Sequence, residues 1–152
     1  MYGNLACVLF DSGATHSFIS STYVNLCNLS TRPLEQNISV STLVGSVVTC
    51  RKCVENCPIL LGGRTLPAKL AVFGILGFDI ILGMDWLSRY GAKIDCRKKK
   101  IVFCTSSNEK FRFCGSSVRA TPPLLSVVQA KRDVREGAQA YLAYVLAKPK
   151  VE

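Results

Sequence analysis

The chain has 152 residues, 49% of them hydrophobic and 19% charged, which suits one domain with a tail and excludes a disordered chain. Its net charge of +9 is uneven: residues 1–92 hold six Lys/Arg against five Asp/Glu, and residues 93–152 hold thirteen against five. The longest apolar stretch, Leu70 to Leu87, is interrupted by Asp79, Asp85 and three glycines, and the start lacks a basic-then-apolar leader, so neither a membrane span nor secretion is expected.

The first ninety residues read as short strands separated by turns. Leu5 to Phe10 is an apolar run of strand length that leads into an Asp11-Ser12-Gly13 turn. Thr15 to Tyr23 is predicted as a turn followed by a short helix or strand. Ile38 to Leu43 alternates as a half-exposed strand does, Gly45-Ser46 is a hairpin tip, and Val47 to Cys50 returns. Pro58 to Leu61 and Thr65 to Phe73 flank Gly62-Gly63, a strong two-residue hairpin signal. Phe78 to Leu82 is a buried strand ended by Gly83. Met84 to Tyr90 has the spacing of a short helix, with Gly91 as its C-terminal cap. Lys93 to Cys96 and Lys100 to Cys104 form a hairpin around a basic turn, and Phe111 to Cys114 suits one more strand.

Beyond this point the character changes. Thr121 and Pro122 make a helix start, the pattern through Val134 is helical, and Gly137 ends it. Ala138 to Ala147 is apolar and fits helix or strand. The expected division is therefore a domain over residues 1–107 and a partly helical tail over residues 108–152.

The basic run Arg97 to Lys100 fits either a solvated turn or an electrostatic contact with nucleic acid. Cations elsewhere are scattered without interleaved aromatics, so nucleic acid is not an expected partner of this segment. Of eight cysteines, only Cys50, Cys53 and Cys57 are closely spaced. Three ligands without a second pair fall short of a structural zinc site, so no metal is expected and free thiols are the default.

The informative motif is Val8-Leu-Phe-Asp-Ser-Gly-Ala14, a carboxylate at the end of an apolar strand followed by a hydroxyl and two small residues. Small residues let backbone and substrate approach closely. Paired carboxyls share a proton, so that one activates water while the other donates to a carbonyl oxygen. As a lone Asp-Ser-Gly the motif would also suit an ordinary turn. A triad of Asp11, Ser12 and His16 is disfavoured, because three members within six residues cannot easily adopt the required line.

Phe10-Asp-Ser-Gly-Ala-Thr-His-Ser-Phe-Ile-Ser20, Ile81-Leu-Gly-Met-Asp-Trp-Leu87 and Ile94-Asp-Cys96 with its basic turn occur in order. Together they resemble the retropepsin-type aspartic proteases of Ty3/gypsy-class long-terminal-repeat retrotransposons, plant-like in character. The resemblance spans roughly residues 5–104. It implies an all-β, single-lobe acid-protease barrel with one short helix. It also implies an aspartic endopeptidase that processes a Gag-Pol polyprotein and uses no cofactor.

Asp11 would be the catalytic carboxylate, with Ser12, Gly13 and Ala14 forming the active-site loop. Ser12 would hydrogen-bond across a dimer. Thr15 and His16 would shape the substrate cleft; retroviral relatives often carry Asp at the position of Thr15 and Arg at that of Met84. Leu43, Val44, Gly45 and Ser46 would form the flap, and Leu82 and Gly83 would support the site from beneath.

A single Asp-Ser-Gly implies a homodimer acting on polypeptide substrate. The resemblance further implies a longer hairpin before the catalytic aspartate, so the N-terminal hairpin is expected to be incomplete. A cytoplasmic or virus-like-particle location is expected. The alternative is a catalytically inactive retrotransposon-derived fragment that binds protein or RNA.

Overall fold

A computed structural model describes residues 4–42 and 45–114 and the backbone of residues 139–145. In chain order the elements are β1 (Asn4–Phe10), β2 (Phe18–Ser20), α1 (Ser21–Leu26), β3 (Arg32–Ser41), β4 (Val47–Leu61) and β5 (Arg64–Phe73). They continue with β6 (Ile80–Leu82), α2 (Met84–Arg89), β7 (Lys93–Asp95), β8 (Lys100–Cys104), β9 (Lys110–Cys114) and β10 (Gln139–Val145). The architecture is all-β with two short helices. The predicted helix across residues 121–137 lies outside the described residues. Among the described residues, no helix is long and apolar enough to cross a membrane.

The larger sheet runs β10-β1-β6-β2-β5-β4-β3, and β10 also pairs with β4. Six strands thus close into a barrel, with β3 attached outside through β4. Apolar side chains on the inward face fill it: Val8, Phe10, Ile19, Ile59, Leu61, Leu70, Ile80 and Leu82 are essentially sealed from solvent. Burying such groups is the main favourable term in folding. The second sheet, β7-β8-β9, lays Ile101 and Phe103 onto this core. Phe103 meets Trp86 edge-on at 5.6 Å, and Trp86 stands 6.0 Å from Phe10, so the small sheet, α2 and β1 share one aromatic cluster.

Several expectations need amendment. The strands predicted at 47–50 and 58–61 are one strand, β4, because Cys53, Val54 and Cys57 are buried across the polar-looking middle. A register break between Val54 and Cys57 absorbs the mismatch in alternation. One short helix was expected, and a second, α1, follows β2. It spans six residues and is held by burial of Tyr23 and Val24, which is too brief a pattern for periodicity to reveal.

The boundary expected after residue 107 falls between β8 and β9 of a single sheet. The ambiguous apolar segment after Ala138 contains a strand. β1 has an antiparallel neighbour along its whole length, from Asn4↔Val145 to Phe10↔Gln139.

Gly62 and Gly63 join β4 to β5 with positive φ at both positions (54° and 81°), the backbone that a tight hairpin of this twist requires. The three clustered cysteines are all buried on β4, but they do not form one group. Cys50 packs with Phe18 and Ala71, while Cys57 belongs to the main core. Burial pushes the Cys57 thiol up to about 12.

Candidate active site

β1 carries the chain through the core and delivers Asp11 at its C-terminal end. The Asp11 N–H donates to the Leu82 carbonyl at 3.0 Å, extending the parallel β1–β6 ladder by one residue. The chain then turns tightly. The Gly13 N–H donates to Asp11 Oδ1 at 2.8 Å and the Ala14 N–H to the Asp11 carbonyl at 3.3 Å. This is the local side-chain-to-backbone bonding that aspartate favours in turns. Asp11 is half-buried, while Ser12 and Gly13 are exposed at the tip of the loop.

Gly83 lies directly beneath this turn, and its role is steric. A Cβ at position 83 would stand 2.7 Å from the Ala14 carbonyl oxygen and closer still to that of His16. Only a residue without a side chain lets the loop lie so close to the β6–α2 junction. The Met84 N–H then donates to the Ala14 carbonyl at 2.7 Å.

A polar network that the sequence reading did not identify completes the bed. Buried Ser17 donates from Oγ to Asp85 Oδ1 at 2.5 Å and accepts from the Gly83 N–H at 3.0 Å. The Ser17 N–H reaches Asp85 Oδ2 at 3.1 Å, and the Trp86 N–H reaches Asp85 Oδ1 at 2.7 Å. Asp85 was read as a helix-start residue. It does occupy the first turn of α2, and it also clamps the active-site loop from 68 residues away in sequence. No short-range spacing signals that partnership.

Thr15 and His16 are exposed, with Thr15 Oγ1 2.9 Å from His16 Nδ1. Together with Ser17 and Asp85 they line one side of a cavity of about 520 Å³. Leu34 to Ser39 of β3, with Lys69 and Ala71 of β5, line the other. The β3 wall was not among the expected site residues, because its polar, exposed sequence carries no motif.

Of the expected flap, Leu43 and Val44 lie outside the described residues. Gly45 and Ser46 are exposed at the β3–β4 turn, where the Thr42 N–H donates to the Ser46 carbonyl at 2.8 Å. Leu82 is buried beneath the loop.

At the opposite end of the β1–β6 ladder from Asp11, Asp79 Oδ2 accepts the Cys7 N–H at 2.7 Å. Burial raises the Asp79 carboxyl above the usual carboxylate range, and that hydrogen bond works in the opposite direction.

The chain is 32% identical over 85 residues to the UBA domain-containing protein Mud1 of Schizosaccharomyces pombe, covering 56% of this chain and 25% of that protein. It is 28% identical over 109 residues to the DNA damage-inducible protein 1 of Neurospora crassa, covering 72% of this chain and 24% of that one. The chain therefore spans about a quarter of the length of these curated relatives. Among solved structures, the retroviral protease-like domain of Ddi1 from Leishmania major matches with a TM-score of 0.49 and 18% identity, over 68% of this chain and 88% of that chain. The family model for retroviral aspartyl proteases matches residues 1–109, a span that includes the Asp11 turn, its Gly83 support and the β3–β4 hairpin, and the chain belongs to that family.

Proposed function

We propose that this chain is an aspartic endopeptidase that works as a homodimer, and that its natural substrate is the Gag-Pol polyprotein of a retrotransposon. The observation that carries this reading is a half-site. One Asp-Ser-Gly turn is held rigidly at the end of a core strand, and the sequence holds no second copy. A two-fold axis beside the loop would set Asp11 against Asp11 of a second copy.

Two carboxyls about 3 Å apart cannot both ionise, so they share one proton. The ionised carboxylate takes a proton from water as the water oxygen bonds to the scissile carbonyl carbon. The protonated carboxyl donates to the carbonyl oxygen, giving a neutral tetrahedral diol. Collapse of the diol breaks the C–N bond as the amine nitrogen takes up a proton. Ser12, exposed at the loop tip, is suited to bond across the axis. Thr15 and His16 with the β3 wall would receive substrate side chains, and the β3–β4 hairpin would close over them.

The retrotransposon assignment is supported by the three motif blocks in order. The curated relatives named above are longer proteins that this chain matches over about a quarter of their length, so a cleavage assay decides the substrate. The test uses a polyprotein-junction peptide at mildly acidic pH, with wild type and Asp11→Asn in parallel. Expected are a rate that rises with the square of dilute enzyme concentration and a loss of roughly 10³-fold or more in Asp11→Asn. A folded chain that stays monomeric and cleaves nothing would overturn this reading in favour of a non-catalytic binding module.

A further inference from the structure

We propose that the outer face of the β7-β8-β9 sheet binds the phosphate backbone of single-stranded RNA. The cations there look scattered in sequence, but the strand register gathers them. Lys93 pairs with Val102, which pairs with Arg112; Lys100 lies between Asp95 and Cys114; and Lys110 is opposite Cys104. Because side chains alternate across a strand, all these residues share one face. The other face holds Ile94, Ile101, Phe103, Phe111 and Phe113, which pack on the core. The cationic face therefore points away from the barrel. The turn from Arg97 to Lys99 is exposed at its end and adds three further charges.

Of the two acids nearby, Asp95 lies on the same face and keeps its charge, so four strand cations and three in the turn stand against one carboxylate there, while Glu109 is paired with a cation outside the face. Asp95 Oδ1 accepts the Lys98 N–H at 3.0 Å, and Glu109 pairs with Arg64 at 3.1 Å. Among the described residues, none of the lysines on this face forms an ion pair, and neither does Arg112. Strands about 4.8 Å apart put Lys93 and Arg112 about 10 Å from one another, near one Debye length at 0.1 M salt, so the charges act on a polyanion together.

The chemistry points to a nucleic-acid backbone. The exposed strand positions of the face are Lys93, Lys110, Arg112 and Cys114, without the large apolar side chains that would enter a lipid interface. The face carries no aromatic platform for stacking bases, so recognition would be electrostatic and independent of sequence. A three-stranded sheet offers a flat surface, not an element that enters a duplex groove. This surface is separate from the protease site, and its test does not depend on catalysis.

The test measures binding of a fluorescein-labelled 20-nucleotide oligouridylate to the full chain by anisotropy, from 50 to 200 mM NaCl. Affinity should fall roughly 10²-fold across that range if about five phosphates are contacted. The triple variant Lys93→Gln/Lys110→Gln/Arg112→Gln removes only exposed charges. It should bind at least tenfold more weakly at 50 mM salt, with a salt slope shallower by about 2. Arg51→Gln/Lys52→Gln on β4, which removes two exposed charges from the other sheet, serves as a control for net charge and should bind as wild type does. Circular dichroism checks that each variant is folded.

The proposal fails if the folded triple variant binds as tightly as wild type, because the site would then lie elsewhere in the chain. It fails equally if wild type binds phosphatidylserine vesicles but not the oligonucleotide.

Discussion

Two stretches of backbone wall the same cavity and are held in opposite ways. Residues 15–17 rest on a bed in which the Ser17 hydroxyl, the Asp85 carboxylate and the Gly83 amide satisfy one another, with Gly83 admitting no extra atom. Residues 34–39 belong to β3, which pairs only with β4 and loses its register between Pro33 and Ile38. The Asp11 turn continues into the side that these bonds brace. The wall that would meet substrate is an irregular edge whose local opening costs little. A protease of the proposed kind must hold its carboxylate firmly and still admit varied peptides, and this division of labour would serve both needs.

The sharpest way to break the comparison is Gly83→Ala. Its methyl group would press on two carbonyl oxygens of the loop, and backbone cannot swing aside as a flexible side chain can. A loss of about 3 kcal/mol is expected in urea denaturation, with cleavage lost as the loop is displaced. Ser17→Ala comes next. It leaves the Gly83 N–H and one lobe of Asp85 unsatisfied in a buried place, for about 2 kcal/mol by the same measurement. Gly45→Ala probes the other side. Nothing lies within 4 Å of the added methyl, so only the positive φ of 81° opposes it, at about 1 kcal/mol. A cost at Gly45 equal to that at Gly83 would erase the distinction between bed and edge.

The smallest effect concerns pH. The folded state holds the Asp79 proton more tightly than the unfolded chain does, because burial disfavours the charged form. Stability from this group is therefore complete below the unfolded carboxylate pKa of about 4 and is lost as pH rises through the folded value. Asp79→Asn keeps an oxygen for the Cys7 N–H and removes the charge. Its melting temperature relative to wild type should rise by a degree or two between pH 4 and pH 7. A difference that stays flat with pH would mean that the carboxylate is already well solvated.

The Asp11-Ser12-Gly13 turn was legible because its signal is local. A carboxylate, a hydroxyl and a glycine stand side by side after an apolar run, and the glycine beneath them sits in a second short block. The Ser17–Asp85 clamp was not legible, since neither residue is unusual and their partnership exists only once β2 and α2 are packed. β3 was read only from Ile38 onward, because an exposed edge strand has no apolar face to impose alternation on Arg32 to Asn37. The cationic face was hidden for a related reason. Lys93, Lys110 and Arg112 become neighbours through strand register, and sequence distance conceals it. Ala138 to Ala147 stayed ambiguous because a uniformly apolar run fits either period, and its state was decided by the distant strands it joins.

That last strand has a practical consequence. β10 seals the gap between β1 and β4, so a chain trimmed to the motif-bearing first 114 residues would present the full unpaired edge of β1, and a short one at Ile59–Leu60 of β4, on an opened apolar interior. Such a fragment should self-associate and precipitate, even though every residue of the Asp-Ser-Gly turn is present. Solubility in this molecule is thus governed by a segment without catalytic signature, and a search for the minimal active unit should begin from the C-terminal strand.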